Sequence, residues 1–214
     1  MFIPLKDTNP ALRTPVVTYV LIAANAAIFL LGFRFSFDSW IFSKEAFLDV
    51  DLQGFTGLIS YQFLHGGWSH LLFNMLFLYI FGDNMESSMG HRTFLLFYLA
   101  SGVGAALFEV YVDPYFGLDG PGYLIGASGS VSGVLAAYAL RYPKAKLLTW
   151  TFFIFFIKVP SIIFIGIWIS LQFLYHIMTP GATTAYIAHI GGFVTGLVFY
   201  SIYHRIQLGR YHDQ

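Results

Sequence analysis

Long apolar stretches, separated by short polar connections, make up most of the chain. Six of these stretches approach the roughly 20 residues that an α-helix needs to cross the hydrocarbon core of a bilayer. The six predicted spans cover residues 16–33, 69–88, 93–112, 123–141, 160–179 and 185–204. We therefore expect an all-α membrane protein in which a bundle of six transmembrane helices forms a single domain over residues 1–214.

Two further segments depart from this pattern. The apolar run 147–159 is too short to cross a bilayer, so we expect it to lie along the membrane interface before the fifth span. The connection 34–68 between the first and second spans is long and mixes aromatic with acidic residues. We expect this membrane-associated loop to fold partly into the outer leaflet, where amphipathic rings are stable.

Basic residues indicate how the spans are oriented. The first span follows Lys6 and Arg13, as the apolar part of a signal peptide would. Its length and the lack of a small-residue cleavage site favour a retained helix. With the N-terminus inside, nine Lys and Arg residues lie on the cytoplasmic side and two, Arg34 and Lys44, lie outside. Because basic residues concentrate on the cytoplasmic side, we expect an inner cell membrane protein with both termini in the cytoplasm.

Composition excludes several classes of protein. Only 10% of the 214 residues are charged and 57% are apolar, whereas about a quarter of the residues in a soluble domain are charged. The formal net charge is zero and the basic residues are scattered, so no nucleic-acid partner is expected. The chain has no cysteine, which excludes disulfides, thiol catalysis and thiolate metal sites.

Small and hydroxyl residues cluster at the start of the fourth span. Residues 126–133 read Gly-Ala-Ser-Gly-Ser-Val-Ser-Gly. Taken alone, this segment is more typical of close helix packing than of chemistry, since small residues let two helix backbones approach each other. In the sixth span His189, Gly192 and Gly196 share one helical face, so the two spans can pack tightly and bring His189 toward Ser128.

The second span begins with another polar group. His70 and Asn74 are four residues apart, so they lie on one helical face, and both can donate hydrogen bonds. We expect Ser69 to cap this helix. His65 precedes the pair, but no suitably spaced carboxylate or cysteine accompanies the histidines, so we expect neither a metal nor another cofactor.

The predicted orientation places these groups in one layer. The second, fourth and sixth spans run from outside to inside, which puts Ser128, His189 and His70 within roughly 10 Å of the outer surface. A serine hydroxyl beside a neutral imidazole is a nucleophile with its base. We therefore expect a Ser128–His189 dyad, with His70, Asn74 and the Ser128 N–H as oxyanion donors. Ser132, one turn below Ser128, is a candidate for holding the imidazole.

These motifs resemble those of the rhomboid intramembrane serine proteases, and the resemblance extends over nearly the whole chain. It implies Ser128 as nucleophile, His189 as base, and an oxyanion hole formed by His70, Asn74 and the main chain around Ala127 and Ser128. It also implies an outward-facing water-filled cavity and transmembrane protein substrates cut near their outer ends. Glu86, at the inner end of the second span, is similar to a structural acidic residue of the family.

The chain departs from the family's pattern in its first loop, which lacks the Trp-Arg pair of many members. We expect neither a seventh helix nor a soluble extension, so the chain resembles the minimal six-helix form.

Other functions compete with the protease hypothesis. A catalytically silent relative would bind membrane clients without cleaving them. A small transporter could use the histidines as a proton relay, although no polar residues continue inward from the layer. Within the protease hypothesis, Ser130 and Ser132 are alternatives to Ser128 as the nucleophile.

Overall fold

The computed structural model describes residues 2–9, 12–116, 122–151 and 155–212, and most of these residues are helical. The helices are α1 (Val16–Leu31), α2 (Lys44–Leu48), α3 (Leu52–Ser60), α4 (Trp68–Met89), α5 (His91–Tyr111), α6 (Ser128–Arg141), α7 (Ser161–Met178) and α8 (Tyr186–His212). The strands are β1 (Phe2–Lys6), β2 (Phe42–Ser43), β3 (Tyr123–Leu124), β4 (Lys146–Thr151) and β5 (Phe155–Pro160).

Three helices in the described part of the chain are long and apolar enough to cross a membrane. They are α5, α7 and the Tyr186–Gly209 portion of α8. The apolar helix α1 has 16 residues and α6 only 14, so length and composition alone do not establish them as spans. The fold is a helical membrane bundle, and the count of six spans stays a prediction.

The start of α6 differs from the predicted fourth span. The span was expected to begin at residue 123, which would place Ser128 about five residues inside the helix. Instead Tyr123 and Leu124 pair with β2, Gly126 has a φ of +122°, and Ser128 is the first helical residue. The positive φ separates the extended segment from the helix, since that conformation is incompatible with an α-helix.

The segment expected along the membrane interface forms strands of a small antiparallel sheet, and its position at the interface stays a prediction. Its strand order is β1-β4-β5, and the apolar run 147–159 supplies most of β4 and β5, with residues 152–154 outside the described ranges. Within β4, Leu147, Thr149 and Thr151 are buried and alternate with more exposed residues, which is the period of a strand. The all-α expectation is therefore wrong for this run and for the N-terminal segment.

The connection between α1 and α4 contains α2, α3, β2 and two 3-10 turns (Asp38–Trp40 and Tyr61–Phe63). Lys44 anchors this segment to α5 and the turn after it, because its Nζ lies 3.4 Å from Glu109 Oε1 and 3.2 Å from Asp113 Oδ2. The other carboxylate oxygen of Glu109 accepts a hydrogen bond from the backbone N–H of Ala188 at 2.9 Å. This cluster joins the first loop to the beginning of α8. The depth of the loop in the membrane stays a prediction.

Glycines bring α6 and α8 into close contact, as the sequence predicts. A methyl group on Gly192 would lie 2.0 Å from the carbonyl oxygen of Gly129, and one on Gly196 would lie 2.4 Å from Gly133 Cα. Helix α5 packs against both helices. These three helices form the centre of the bundle and fix the relative positions of the N-terminal ends of α6 and α8.

Glu86 ties α4 to the start of α1. Its buried carboxylate accepts hydrogen bonds from the backbone N–H groups of Val17 (2.8 Å) and Thr18 (2.7 Å) and from the Thr18 hydroxyl (2.7 Å). The first N–H groups of a helix have no acceptor within it, and they favour negative charge. The contacts of Glu86 are therefore structural, as the resemblance implies.

Candidate active site

Ser128 and His189 meet at the N-terminal ends of α6 and α8. His189 Nε2 lies 2.8 Å from Ser128 Oγ, which is hydrogen-bond distance. Ser128 is the first residue of α6 and His189 the fourth of α8. The glycine contacts one and two turns further along hold the two helices close enough for this hydrogen bond.

The other ring nitrogen of His189 contacts a residue that sequence reasoning missed. His189 Nδ1 lies 2.7 Å from Oε1 of Gln172, which is on α7 and buried. The ring centroids of Trp168 and Tyr186 lie 5.9 Å and 6.4 Å from that of the imidazole. The sequence feature that could have identified Gln172 is an amide inside an apolar span, where a polar side chain needs a partner.

Ser132 does not hold the imidazole. Its hydroxyl donates instead to the backbone carbonyl of Ser128 at 2.6 Å, within its own helix. Serine commonly makes this i−4 bond inside helices, which is why its position on the Ser128 face did not decide its partner.

His70 and Asn74 lie near the beginning of α4 and face the segment that leads to Ser128. The backbone N–H of Gly66 points at His70 Nδ1 (3.4 Å), which leaves Nε2 to carry the proton. Asn74 is 7% exposed, and among the described residues its Nδ2 has no hydrogen-bond partner. The helix starts at Trp68 after Gly67, so the expected cap by Ser69 is wrong.

Gly126 allows His70 to approach the backbone before Ser128. A methyl group on Gly126 would lie 2.6 Å from His70 Nε2, and its φ of +122° disfavours any other residue. Buried Ala127 then occupies the N-cap position of α6, and the first helical hydrogen bond runs from the N–H of Val131 to the Ala127 carbonyl. The N–H of Ser128 precedes that bond and so has no acceptor within the helix.

These groups line one cavity of about 630 Å³. Its wall includes the four polar side chains together with parts of α7 and of the loop before α8: Ser128, His189, His70, Asn74, Trp168, Gln172, Thr183 and Thr184. Its volume lies in the range of small-molecule and peptide side-chain sites. The chemistry that this arrangement allows is acyl transfer, because a serine hydroxyl, an imidazole and hydrogen-bond donors line the same cavity.

His65 lies outside this cavity and lines a neighbouring one of about 580 Å³ near the end of α1. Its ring packs edge-on against His70 with 5.0 Å between centroids. Burial, with the nearby His70, lowers the pKa of His65 to about 3. His65 is therefore neutral near pH 7 and adds no charge beside His70. Among the described residues, no three His, Asp or Glu side chains form a group that could hold a metal.

Comparison with protein families supports the resemblance. The family model described as Rhomboid domain matches residues 53–206, from α3 to α8. The chain belongs to the rhomboid family. The match covers all the residues of the candidate site, and together with the apolar helices it identifies the chain as an integral membrane protein.

Relatives in the family come from several organisms. The chain is 29% identical to Rhomboid protein 1, mitochondrial, of Saccharomyces cerevisiae, over 86% of this chain and 52% of the yeast protein. It is 31% identical to the Putative rhomboid protease YdcA of Bacillus subtilis, over 64% of this chain and 68% of that protein. Rhomboid protease AarA of Providencia stuartii is 37% identical over 38% of this chain and 32% of its own length. The chain spans 52% of the yeast protein and 58% of RHOMBOID-like protein 12, mitochondrial, of Arabidopsis thaliana, which is about half the length of each.

Proposed function

We propose that this rhomboid protein is an intramembrane serine endopeptidase in which Ser128 is the nucleophile and His189 the general base. The observation that carries the proposal is the 2.8 Å contact between Ser128 Oγ and His189 Nε2 in the wall of a cavity. Asn74 lines the same cavity, and its Nδ2 has no hydrogen-bond partner among the described residues. A serine–imidazole pair activates the hydroxyl without a third charged group.

The proposed reaction proceeds through an acyl-enzyme. His189 Nε2 takes the proton from Ser128 as its Oγ attacks the peptide carbonyl, and the resulting imidazolium gives that proton to the departing amine. Water then attacks the ester, with the same imidazole acting as base, and the second product leaves as a carboxylic acid. The reaction needs no metal or cofactor.

Hydrogen-bond donors in the same cavity would stabilise the oxyanion. Negative charge develops on the former carbonyl oxygen, and donors already aimed at that position lower the barrier. The Nε2–H of His70, the amide of Asn74 and the N–H of Ser128 are the proposed donors. Ala127 contributes by placing Ser128 at the first position of α6.

The proposed substrates are transmembrane helices of other membrane proteins, cut near their outer ends. The site lies at the N-terminal ends of α4, α6 and α8, which the basic residues place on the outer side. We propose six spans in one domain, with both termini in the cytoplasm and the inner cell membrane as its location. The mitochondrial names of some relatives belong to those proteins.

The alternative nucleophiles have other partners. The hydroxyl of Ser130 donates to Gln62 Oε1 at 2.8 Å, and that of Ser132 bonds its own helix. Both serines are completely buried, whereas Ser128 lines the cavity. These contacts favour Ser128 over Ser130 and Ser132 as the nucleophile.

Ser128→Ala tests the proposal. With a purified single-span substrate, we expect the variant to lose cleavage and fluorophosphonate labelling while its unfolding temperature stays unchanged. Ser170→Ala is the matched control, because Ser170 is exposed on α7 and bonds only its own helix, at Gly166 O. Folded wild-type protein that neither cleaves nor becomes labelled would contradict the proposal and favour a catalytically silent relative. Proton or solute flux that survives Ser128→Ala but not His189→Ala would favour a transporter.

A further inference from the structure

We infer that Gln172 is a positioning residue that holds His189 in the tautomer and orientation required of the base. The inference rests on the proposed function, because it concerns how His189 accepts the Ser128 proton. It assigns a third member to the site, a neutral side chain supplied by α7, which is neither of the helices that carry the dyad.

The orientation of the Gln172 amide follows from its second contact. Its Nε2 donates to the backbone carbonyl of Trp168 at 3.3 Å, one turn earlier in α7. Rotating the amide by 180° would place two oxygens against each other at that position. The Trp168 carbonyl therefore keeps Oε1 directed at His189, 2.7 Å from Nδ1.

This orientation determines which imidazole nitrogen carries the proton. An amide oxygen can only accept a hydrogen bond, so His189 Nδ1 must be the protonated nitrogen. Nε2 then presents its lone pair to the Ser128 hydroxyl at 2.8 Å. In the other tautomer Nε2 would carry a proton and could not act as base.

The surroundings explain why a neutral residue suits this position. Gln172 is 8% exposed and lies within a helix that is apolar enough to cross a membrane. Beside a neutral imidazole, an unpaired carboxylate there would carry a large desolvation penalty, whereas an amide with both ends hydrogen-bonded carries a smaller one. The rings of Trp168 and Tyr186 beside the imidazole further limit its rotation.

Two substitutions at Gln172 test the inference. Gln172→Leu keeps a similar volume but removes the acceptor, so we expect kcat to fall by about 10- to 1,000-fold with little change in KM. That loss is smaller than the roughly 10⁴-fold cost of disabling the charged orienting residue of a Ser-His-Asp triad. The rate of fluorophosphonate labelling should fall by a similar factor, since it reports the nucleophile without a peptide substrate.

Gln172→Glu keeps an acceptor oxygen and adds charge. A carboxylate stabilises the protonated imidazole, so we expect activity to be retained near neutral pH or above. The acid limb of the kcat/KM profile should shift to higher pH. A side chain at position 172 that did not contact the imidazole would move this limb little, so the shift reports the contact with Nδ1, and the fall in kcat of Gln172→Leu reports its importance in the native protein. Ser170→Ala, on the same helix, is the control for both measurements.

The outcomes separate the inference from the proposed function. If Ser128-dependent labelling is absent from folded wild-type protein, the proposed function fails. If that labelling is present, an unchanged kcat in folded Gln172→Leu together with an unshifted profile in Gln172→Glu would overturn the inference alone. Should Gln172→Leu fail to fold, the Gln172→Glu profile decides, with a shift supporting the inference and its absence refuting it.

Discussion

The Asn74 amide is buried against the cavity, yet its Nδ2 has no hydrogen-bond partner among the described residues. A donor that no described protein group uses is free to bind an acceptor that enters the cavity. We predict that Asn74→Ala lowers kcat by about 10²- to 10³-fold, the usual cost of losing one oxyanion donor, without lowering the unfolding temperature. Steady-state cleavage kinetics and thermal unfolding would measure both effects.

Asn84 provides the contrasting control on the same helix. Its Nδ2 donates to Asp7 at 3.0 Å and to Asp83 at 2.8 Å, far from the cavity. Asn84→Ala should therefore lower the unfolding temperature and leave kcat of the folded protein near the wild-type value. If Asn74→Ala behaved in the same way as Asn84→Ala, Asn74 would not be an oxyanion donor.

The conformation of Gly126 leads to a separate prediction about the geometry of the proposed oxyanion hole. A methyl group there would meet His70 Nε2 at 2.6 Å in a backbone conformation with positive φ. We expect Gly126→Ala to displace the imidazole and to lower kcat by about 10²-fold or more, as loss of a donor does. Gly122→Ala in the same loop is the control, because a methyl group there would meet no atom of the residues that the structure describes within 4 Å. Equal activity of the two variants would exclude this role.

The sequence could predict that four polar residues lie near one another, because helical periodicity brings specific positions to one face. These residues are Ser128, His189, His70 and Asn74, which line one cavity. It could not predict the partner of His189 Nδ1, since that depends on how far α7 lies from α8 and on a side-chain rotamer. The same limit applies to Ser132, whose hydroxyl had two possible acceptors and bonds its own helix.

At the level of elements, the contact between α6 and α8 determines whether the dyad can form. A methyl group on Gly192 would lie 2.0 Å from the Gly129 carbonyl oxygen, which is backbone and cannot rotate away. We predict that Gly192→Ala destabilises the protein by about 1 to 3 kcal/mol, the typical cost of overpacking, and separates His189 from Ser128. Unfolding in detergent and fluorophosphonate labelling would measure the two effects.

Gly209→Ala is the control on the same helix, since a methyl group there would meet no described residue within 4 Å outside its own helical turn. Alanine is favoured over glycine inside a helix, so this variant should keep its activity and lose no stability. If the Gly192→Ala variant were as stable and as reactive as Gly209→Ala, the close contact between α6 and α8 would not be required for stability or for labelling of Ser128.

The element boundaries that sequence reasoning missed share one physical origin. An apolar run signals burial but does not distinguish a helix from a strand when it is short. The described part of the run 147–159 supplies most of β4 and β5. The beginning of the predicted fourth span forms β3. In both places backbone pairing with a distant segment decides the structure, with β1 in one case and β2 in the other.

At the scale of the whole molecule, helix α6 is too short to cross a bilayer by itself. Its 14 residues extend about 21 Å, less than the roughly 30 Å of a hydrocarbon core. Strand β3 and the turn over residues 125–127, which precede α6, would have to supply the remaining distance. Irregular backbone is tolerated at such a depth only where it lines a cavity, and Leu124 and Ile125 line the same cavity as Ser128. The proposed topology therefore places the nucleophile below the outer surface.

The native sequence is suited to testing this topology, because it contains no cysteine. Tyr115, which is 90% exposed in the turn after α5, and exposed Lys144, which follows α6, lie on opposite sides of the proposed membrane. We predict that a membrane-impermeant maleimide added to intact cells labels Tyr115→Cys, and that it labels Lys144→Cys only after lysis. The opposite result would reverse the orientation and place the Ser128 cavity on the cytoplasmic side. Labelling of both variants in intact cells would mean that the chain between them does not cross the membrane, so β3, the turn after it and α6 would not form a span.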